Sequence, residues 1–137
     1  MSGDFLDSNV ILYAFDSASG NKQDASRAIV AEALASNASI SFQVVQEVLN
    51  RLTRLDAYGS WPDASLVLQD VLTPLWTVMP SQALYARALG IRGRYHYAFY
   101  DSLIIAAALE AGSERLYSED LQHGQRIEGL TIINPFA

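Results

Sequence analysis

The stretch FLDSNVILYAFD, residues 5–16, sets the pattern from which the fold can be predicted. Its first two residues are apolar and predict a short buried strand that ends at Asp7. The apolar residues that follow are spaced as on one face of a helix, and Ser8 or Asn9 is suited to the N-cap. The stretch therefore predicts a strand, an acidic residue at its end and a helix in immediate succession.

The same alternation of strand and helix continues along the chain. Further strands are predicted at residues 39–42, 75–79, 115–118 and 131–133. Further helices are predicted at residues 24–35, 43–55, 62–72, 81–91 and 101–112. The strands are short and mostly apolar without strict alternation, which favours a parallel sheet covered by helices on both faces. We therefore predict a single α/β domain over residues 1–137, a three-layer α/β/α sandwich with a short parallel sheet.

Proline and glycine set the predicted helix boundaries. Pro62 is suited to the first turn of one helix, and Pro74 is expected to end that helix. Gly90 and Gly93 mark the predicted end of the next helix. Residues 16–24, which are rich in small polar side chains, predict a surface turn.

Composition excludes several classes of protein. The chain has 137 residues, and 50% of them are hydrophobic, which is enough for one domain with a proper core. The formal net charge is −6, so a polyanion would have to bind through a local basic patch or through bound cations. The absence of cysteine excludes disulfides, thiolate zinc sites and cysteine nucleophiles.

The sequence carries no signal for secretion or for a membrane. The N-terminus lacks a basic region followed by an apolar one, and no apolar run approaches the roughly 18 residues of a membrane span. We therefore expect a cytoplasmic protein without a membrane partner.

Four acidic residues lie where such a fold is expected to bind its ligand. In a parallel sheet, ligands bind just beyond the carboxyl ends of the strands. Asp7 ends the first predicted strand and Asp120 follows the fourth. Asp101 opens a long apolar helix, and Glu47 lies in the helix after the second strand. We expect these four carboxylates to converge at one edge of the sheet.

Clustered carboxylates favour a metal site. Like charges a few ångströms apart raise each other's pKa, and bound Mg²⁺ or Mn²⁺ relieves that repulsion. These ions prefer oxygen ligands, and Mg²⁺ also binds substrate phosphates. The chemistry that this set of residues suits is metal-assisted hydrolysis of a phosphodiester.

Each carboxylate alone also has a structural interpretation. Asp7 and Asp101 are suited to capping the helices that follow them. Glu47 is spaced to pair with Arg51 at i, i+4, and Asp120 is typical of a turn. The argument for a site therefore depends on all four meeting at one edge.

Four segments of the chain resemble PIN-domain ribonucleases, and among these the VapC-type toxins of toxin–antitoxin pairs. In order, the segments are FLDSNVILYAFD, SFQVVQEVLNRL, HYAFYDSLIIAAALEAG and LYSEDLQHGQRIEGLTIINPF. The resemblance covers nearly the whole chain, and each segment carries one of the family's four acids. It implies a PIN-like α/β/α fold and Mg²⁺- or Mn²⁺-dependent cleavage of RNA. It also implies a homodimer that is held inactive by a cognate antitoxin.

Carried over by position, the resemblance assigns roles to individual residues. The carboxylates that would bind metal and carry catalysis are Asp7, Glu47, Asp101 and Asp120. Asn9 matches the polar residue that supports Asp7, and Ser118 matches the residue that orients Asp120. Glu119, at the variable position between Ser118 and Asp120, is expected to have no ligand role.

Other functions fit the sequence less well. The glycine spacing contains neither a dinucleotide-binding nor a P-loop motif, and no G-x-S-x-G is present. The only lysine, Lys22, is expected to lie far from any strand end, unlike the late lysine of phosphatases and phospho-receivers. Two alternatives stay open. One is a catalytically idle PIN-like module that binds RNA or a protein, and the other is a structure-specific DNA nuclease.

Aromatic and basic residues near the predicted site have two interpretations each. The aromatic group that precedes Asp101 either stacks RNA bases or packs in the core or at a dimer interface. The arginines are either a local phosphate-binding patch or ordinary solvated side chains. The aromatic residues are Tyr95, Tyr97, Phe99 and Tyr100, and the arginines are Arg51, Arg54, Arg87, Arg92 and Arg94.

Overall fold

Short strands and longer helices alternate through residues 3–137, the part of the chain that the computed structural model describes. The strands are β1 (Asp4–Leu6), β2 (Ile40–Ser41), β3 (Trp76–Val78), β4 (Arg115–Tyr117), β5 (Arg126–Ile127) and β6 (Leu130–Ile133). The helices are α1 (Ser8–Tyr13), α2 (Asn21–Ser36), α3 (Phe42–Leu55), α4 (Ala64–Val67), α5 (Thr73–Leu75), α6 (Gln82–Tyr95) and α7 (Phe99–Glu110). A 3₁₀ turn, Asp56–Tyr58, follows α3, and a π-helical turn, Leu68–Leu72, joins α4 to α5.

The sheet is mostly parallel, as predicted. One part has the strand order β1-β4-β6-β5, and β2 pairs with β3 in the other. Hydrogen bonds between Ser39 and β1 join the two parts, since Leu6 N donates to Ser39 O and Ser39 N donates to Asp4 O. β1, β4 and β6 pair in parallel, with Leu6 beside Tyr117 and Tyr117 beside Ile133. The carboxyl ends of these three strands are therefore level with one another.

β5 was not predicted, and it is the antiparallel strand of the sheet. It forms a hairpin with β6, in which Ile127 pairs with Leu130. The two residues of the turn, Glu128 and Gly129, both have positive φ, 52° and 92°. Such turns match the twist of an antiparallel pair. A strand of two residues leaves too short a pattern to detect in the sequence.

Helices cover the sheet in two groups, which confirms the three-layer α/β/α sandwich. α1 packs on α2 and α3, and α5 packs on α2. α6 packs on α7, and α7 contacts β2 and β4. Right-handed crossovers place the connections β1-to-β2 and β3-to-β4 on opposite faces, because they run in opposite directions across the sheet. Every residue of α7 from Ser102 to Ala108 is buried, which explains its almost wholly apolar sequence.

Several helix boundaries differ from the predictions. The helix expected to begin near Pro62 begins at Ala64, where the Asp63 carboxylate caps it by accepting from Ser65 N at 2.7 Å. Pro74 does not end the helical segment, which continues through α5 after the widened turn Leu68–Leu72. A proline lacks the N–H that a regular turn would use, and a change of turn is one way for a helix to accommodate it.

The helix end predicted at Gly90 and Gly93 is also wrong. Gly90 and Gly93 lie inside α6, in exposed positions with open space where a side chain would stand. The helix ends instead at Tyr95, because His96 adopts a left-handed conformation with φ 64°. The predicted surface turn at residues 16–24 is shorter than expected, since α2 already begins at Asn21. None of the helices within residues 3–137 is long and apolar enough to cross a membrane.

Candidate active site

The four predicted carboxylates line one cleft at the carboxyl edge of the sheet. The cleft has a volume of about 250 Å³. Its acidic lining residues are Asp7, Glu47, Asp101 and Asp120. Asn9 and Arg51 line it as well. The convergence that the topology predicted is therefore present, with carboxylates that come from four separate segments of the chain.

Asp7 is the most deeply placed of the four. It follows β1 directly and is only 7% exposed. Its Oδ1 accepts from Ser8 N at 2.7 Å, so it caps α1. Its Oδ2 accepts from the Ser118 hydroxyl at 2.8 Å. The capping interpretation of Asp7 is therefore confirmed, and it uses only one of the two carboxylate oxygens.

The environment of Asp7 opposes its ionisation. The pKa of Asp7 is raised from 3.8 to about 6, chiefly by burial and to a smaller extent by the charges of Glu47 and Asp120. The hydrogen bonds from Ser118 and Ser8 act in the opposite direction but do not outweigh burial. A buried carboxylate without a neighbouring cation is in the condition that a bound metal ion would relieve.

Glu47 faces the same cleft from α3. This helix begins at Ser41, whose hydroxyl caps it as predicted by accepting from Val44 N. Glu47 is half-buried, and its Oε1 is buried without a hydrogen-bond partner. Burial raises the pKa of Glu47, and nearby acidic charges add to the effect. No ion pair to Arg51 forms within residues 3–137, so the structure does not support the i, i+4 interpretation.

Asp101 lies in the first turn of α7. It is the third residue of that helix and not its N-cap, which is Ala98. The capping interpretation of Asp101 is therefore wrong. Burial raises the pKa of Asp101, and the charge of Asp120 raises it further. The start of α7 is tied to α3 because Gln43 Nε2 donates to the Tyr100 carbonyl at 3.1 Å.

Asn9 contacts a different acid from the expected one, whereas Ser118 contacts both Asp120, as expected, and Asp7. Asn9 Nδ2 donates to Asp120 Oδ2 at 2.9 Å, whereas we expected it to support Asp7. Ser118 donates to Asp7, and its hydroxyl also accepts from Asp120 N at 3.3 Å. The two polar residues thus connect the first acid with the fourth.

Lys22 and Glu119 form a contact that the sequence did not predict. Lys22 Nζ pairs with Glu119 Oε2 at 2.5 Å, so the lysine lies beside the end of β4 and not far from any strand end. Tyr13 donates its hydroxyl to Glu119 Oε1 at 2.6 Å. Lys22 also lies over the Tyr13 ring, 4.9 Å from its centroid. Glu119 is not among the residues that line the cleft, and its side chain connects the segment next to Asp120 with α1 and α2.

The arginines divide between the cleft and other surfaces. Arg51 lines the cleft, and Arg54 joins it in an adjacent hollow of about 410 Å³. Arg87 instead pairs with Glu128 at 3.3 Å. Arg94 lies over the Tyr95 ring, 5.5 Å from its centroid. Of the arginines proposed for a phosphate-binding patch, Arg51 and Arg54 are thus the two that the fold brings to the acidic site.

The lining of the cleft matches a hard divalent cation in its chemistry. Apart from Arg51, every polar side chain that lines it presents oxygen, the donor that Mg²⁺ and Mn²⁺ prefer. The unpartnered Glu47 Oε1 is one such donor. The spacing is more open than that of an assembled site. Within residues 3–137, no three acidic or histidine side chains lie close enough together to hold one ion as they stand.

Comparisons with known proteins agree with this geometry. The sequence model of the PIN domain matches residues 5–126. A toxin–antitoxin complex from Klebsiella pneumoniae contains a chain of similar structure, with a TM-score of 0.71, 20% identity, and coverage of 96% of this chain and 97% of that one.

A second similar structure is that of VapC20 from Mycobacterium tuberculosis, a sarcin-ricin loop cleaving toxin. It has a TM-score of 0.61 and 18% identity, and the match covers 85% of this chain and 89% of that one. At such identities the likeness concerns the fold alone. No curated protein matches the chain in sequence. The matched residues 5–126 make up most of the chain and include all four carboxylates of the cleft, so the chain belongs to the PIN domain family.

Proposed function

We propose that this protein is a divalent-metal-dependent endoribonuclease and the toxin of a toxin–antitoxin pair. The observation that carries the proposal is the meeting of four carboxylates in one cleft, with Asp7 buried and its pKa raised to about 6. Such a cluster is unfavourable for folding unless a cation occupies it. Family membership supports the choice of RNA cleavage as the reaction.

In this proposal Asp7, Glu47, Asp101 and Asp120 hold Mg²⁺ or Mn²⁺. When bound, the ion supplies Lewis acidity for the attack of water on a phosphodiester. No three of these carboxylates lie at coordinating distances within residues 3–137, so water would complete the ligand shell of the ion, as is usual for Mg²⁺. Asn9 and Ser118 keep Asp120 and Asp7 in place by the hydrogen bonds described above.

Arg51 has a separate role in the proposal. It lines the same cleft as the carboxylates, forms no ion pair with them, and is suited to contact a phosphate of the RNA backbone. A basic contact inside an acidic cleft orients the backbone, because the phosphate is drawn to one side of the carboxylate cluster. Arg54 extends this contact along the adjacent hollow.

The partners of the protein are also part of the proposal. We propose a cognate antitoxin, an RNA substrate, a homodimeric state and a cytoplasmic location. The antitoxin is supported by the similar chain in a toxin–antitoxin complex from Klebsiella pneumoniae. An antitoxin that inserts a basic side chain among the four carboxylates would neutralise them and exclude a metal ion.

Cleavage of a mixed cellular RNA pool tests the proposal. Wild-type protein free of antitoxin should cleave RNA with Mg²⁺ or Mn²⁺ and should not do so with EDTA. Asp7→Asn should lose cleavage by orders of magnitude while the fold survives. Asp70→Asn is a matched control, because Asp70 is an exposed carboxylate outside the cleft. Cleavage that persists in EDTA or in Asp7→Asn contradicts the proposal.

A second candidate is a catalytically idle PIN-like module that binds RNA or a protein. The observation that favours it is the open spacing of the carboxylates, no three of which are at coordinating distances within residues 3–137. Calorimetric titration with Mn²⁺ separates the two functions. Saturable binding that is weakened in Asp7→Asn supports the nuclease, and the absence of any binding by folded wild-type protein supports the idle module.

A further inference from the structure

A second hollow adjoins the acidic cleft and is not accounted for by the proposed reaction. It has a volume of about 310 Å³ and is lined by Gln43, Gln46, Glu47, Asn50 and Tyr100. Four of these residues, all except Gln46, also line the cleft, so the two spaces are continuous. Whatever occupies the hollow therefore lies directly beside the carboxylates.

One exposed wall of the hollow is an aromatic ring that other rings support. Tyr100 is 67% exposed, although it lies at the start of a mostly buried helix. Its ring meets Phe99 edge to face, with centroids 5.4 Å apart. Phe99 in turn stacks on Tyr85 at 6.4 Å, and Tyr85 meets the buried Phe42 at 6.4 Å. The row of rings thus connects Tyr100 to the core, and the hydrogen bond from Gln43 to the Tyr100 carbonyl holds its backbone in place.

The opposite wall presents two exposed amides. Gln46 and Asn50 are four residues apart on α3, so they lie on the same face of that helix, one turn apart. Each amide offers both a donor and an acceptor. Pairs of this kind match the edges of nucleobases, which also combine donors and acceptors in one plane.

The charge of the hollow selects against a phosphate. No lysine, arginine or histidine lines it, and its one ionisable acid is Glu47. A phosphate would be repelled by that carboxylate and would find no cation. A flat, uncharged group with hydrogen-bonding edges meets no such penalty, and an exposed tyrosine ring is a surface on which such a group stacks.

We propose that this hollow is a base-binding subsite, which takes the nucleobase of single-stranded RNA next to the phosphate in the acidic cleft. The base stacks on Tyr100 and forms hydrogen bonds with Gln46 and Asn50. This inference rests on the proposed function, and it adds a source of sequence preference to it. Paired bases do not fit, because their faces and edges are already used within the helix.

Equilibrium binding tests the subsite independently of cleavage. Fluorescently labelled 12-residue oligomers of U, A, C and G are titrated with Asp7→Asn protein at a Mg²⁺ concentration that saturates the three remaining carboxylates, so that the ion is bound and the RNA stays intact. In that background Tyr100→Ala should weaken binding of the preferred oligomer by about 5- to 150-fold, the range measured for loss of one base-stacking contact. Tyr100→Phe should bind within about twofold of its parent, since it keeps the ring. Gln46→Met and Asn50→Leu should change the order of preference among the four oligomers.

A double-mutant cycle that combines Tyr100→Ala with an abasic nucleotide gives the stricter test. One base of the preferred oligomer is removed at each position in turn. At one position, removal of the base should weaken binding to the parent protein as much as Tyr100→Ala weakens binding of the intact oligomer. Removal of the same base should not weaken binding to Tyr100→Ala any further. The proposal is overturned if Tyr100→Ala binds like its parent, if Tyr100→Phe is as weak as Tyr100→Ala, or if none of the four oligomers binds.

Two further readouts separate this inference from its alternatives. If sedimentation shows that Tyr100→Ala changes the oligomeric state while RNA affinity is unchanged, the ring is a protein contact and the subsite is refuted. If wild-type protein fails to cleave RNA but binding depends on the ring as described, the proposed nuclease function fails and the subsite is supported.

Discussion

Asp7→Asn should make the metal-free protein more stable while it abolishes cleavage. The carboxyl of Asp7 has a pKa of about 6 in the folded protein, against 3.8 for a solvated aspartate side chain. At 1.36 kcal/mol per unit, ionising Asp7 in the folded protein costs about 3 kcal/mol. Asparagine has the same shape and avoids that cost. Its carbonyl can accept from Ser8 N, and its amide can donate to the Ser118 hydroxyl in place of accepting from it.

The sign of the pH dependence follows from the raised pKa. A folded state that holds a proton more tightly than the unfolded state is favoured at low pH. The contribution of Asp7 to stability is therefore fully present below about pH 4 and is lost as the pH rises through about 6. The variant should match wild type near pH 4 and exceed it by about 1–3 kcal/mol at pH 7.5.

Urea denaturation at pH 4, 5, 6 and 7.5, in the presence of EDTA, measures this difference, with Asp70→Asn as the control of equal charge change. A gain of 1 kcal/mol would correspond to a rise in Tm of roughly 4 °C. Addition of Mg²⁺ should raise the Tm of wild type more than that of Asp7→Asn, because only wild type has the charged ligand. If Asp7→Asn is less stable than wild type at pH 7.5, or if its stability falls with pH as steeply, burial of Asp7 does not have the effect assigned to it.

Three further variants test other contacts of the site. Ser118→Ala removes the hydroxyl that lowers the pKa of Asp7, so the pH at which Mg²⁺ begins to stabilise the protein should move upward. A thermal-shift assay at several pH values measures this effect. RNA cleavage by the same variant should fall by about 10-fold or more. Glu119→Gln breaks the pair with Lys22. Because Asp120 is the next residue and is expected to lose its position, cleavage should fall by about 10-fold while the Tm changes little. Unchanged cleavage would show that the contact serves only the fold. Arg51→Ala should reduce the slope of log affinity for single-stranded RNA against log salt by about 0.7, and an unchanged slope would exclude the phosphate contact.

The four carboxylates could be predicted because their position depends only on where strands end. Asp7 and Asp120 follow apolar runs, and any parallel arrangement of those runs brings the two residues to one edge. Glu47 and Asp101 were weaker candidates, since each lies within a helix and a charge in a helix is usually solvated, and the resemblance to PIN-domain ribonucleases added support for both. The apolar residues around Asp101 were informative because they belong to a long helix that is buried along most of its length.

The hydrogen bonds among these residues could not be predicted, because they depend on strand register. β1 and β4 pair with Leu6 beside Tyr117, so the next residues along, Asp7 and Ser118, also lie side by side. The same alignment carried two residues further brings Asn9 to Asp120. Without the register, the sequence does not show which acid each polar residue contacts. The resemblance placed Asn9 with Asp7 and Ser118 with Asp120, whereas the side chain of Asn9 contacts Asp120 and that of Ser118 donates to Asp7.

The contact between Lys22 and Glu119 was missed for a related reason. Lys22 lies in the first turn of α2, and the sequence places that turn about a hundred residues from the end of β4. Only the packing of α2 on α1 brings the lysine to this edge of the sheet. The sequence did contain one indication, because Lys22 is the only lysine in a chain that has fewer basic than acidic residues.

The acidic character of the protein bears on how it would bind RNA at all. With a net charge of −6, the whole molecule repels a polyanion, and in the cleft one guanidinium faces four carboxylates. Arg51 and Arg54 alone cannot reverse the sign of that field. In the proposed function, a divalent ion held by the carboxylates would make the electrostatic field less negative where the scissile phosphate must lie. The ion that would activate the reaction would therefore also allow the substrate to approach. The carboxylates of the cleft are then unfavourable both for the metal-free fold, through the raised pKa of Asp7, and for RNA binding without metal. Under the proposed function both penalties would be removed by the same ion, and this common dependence is the physical reason to propose metal binding, and not a preformed substrate groove, as the step that makes the site competent.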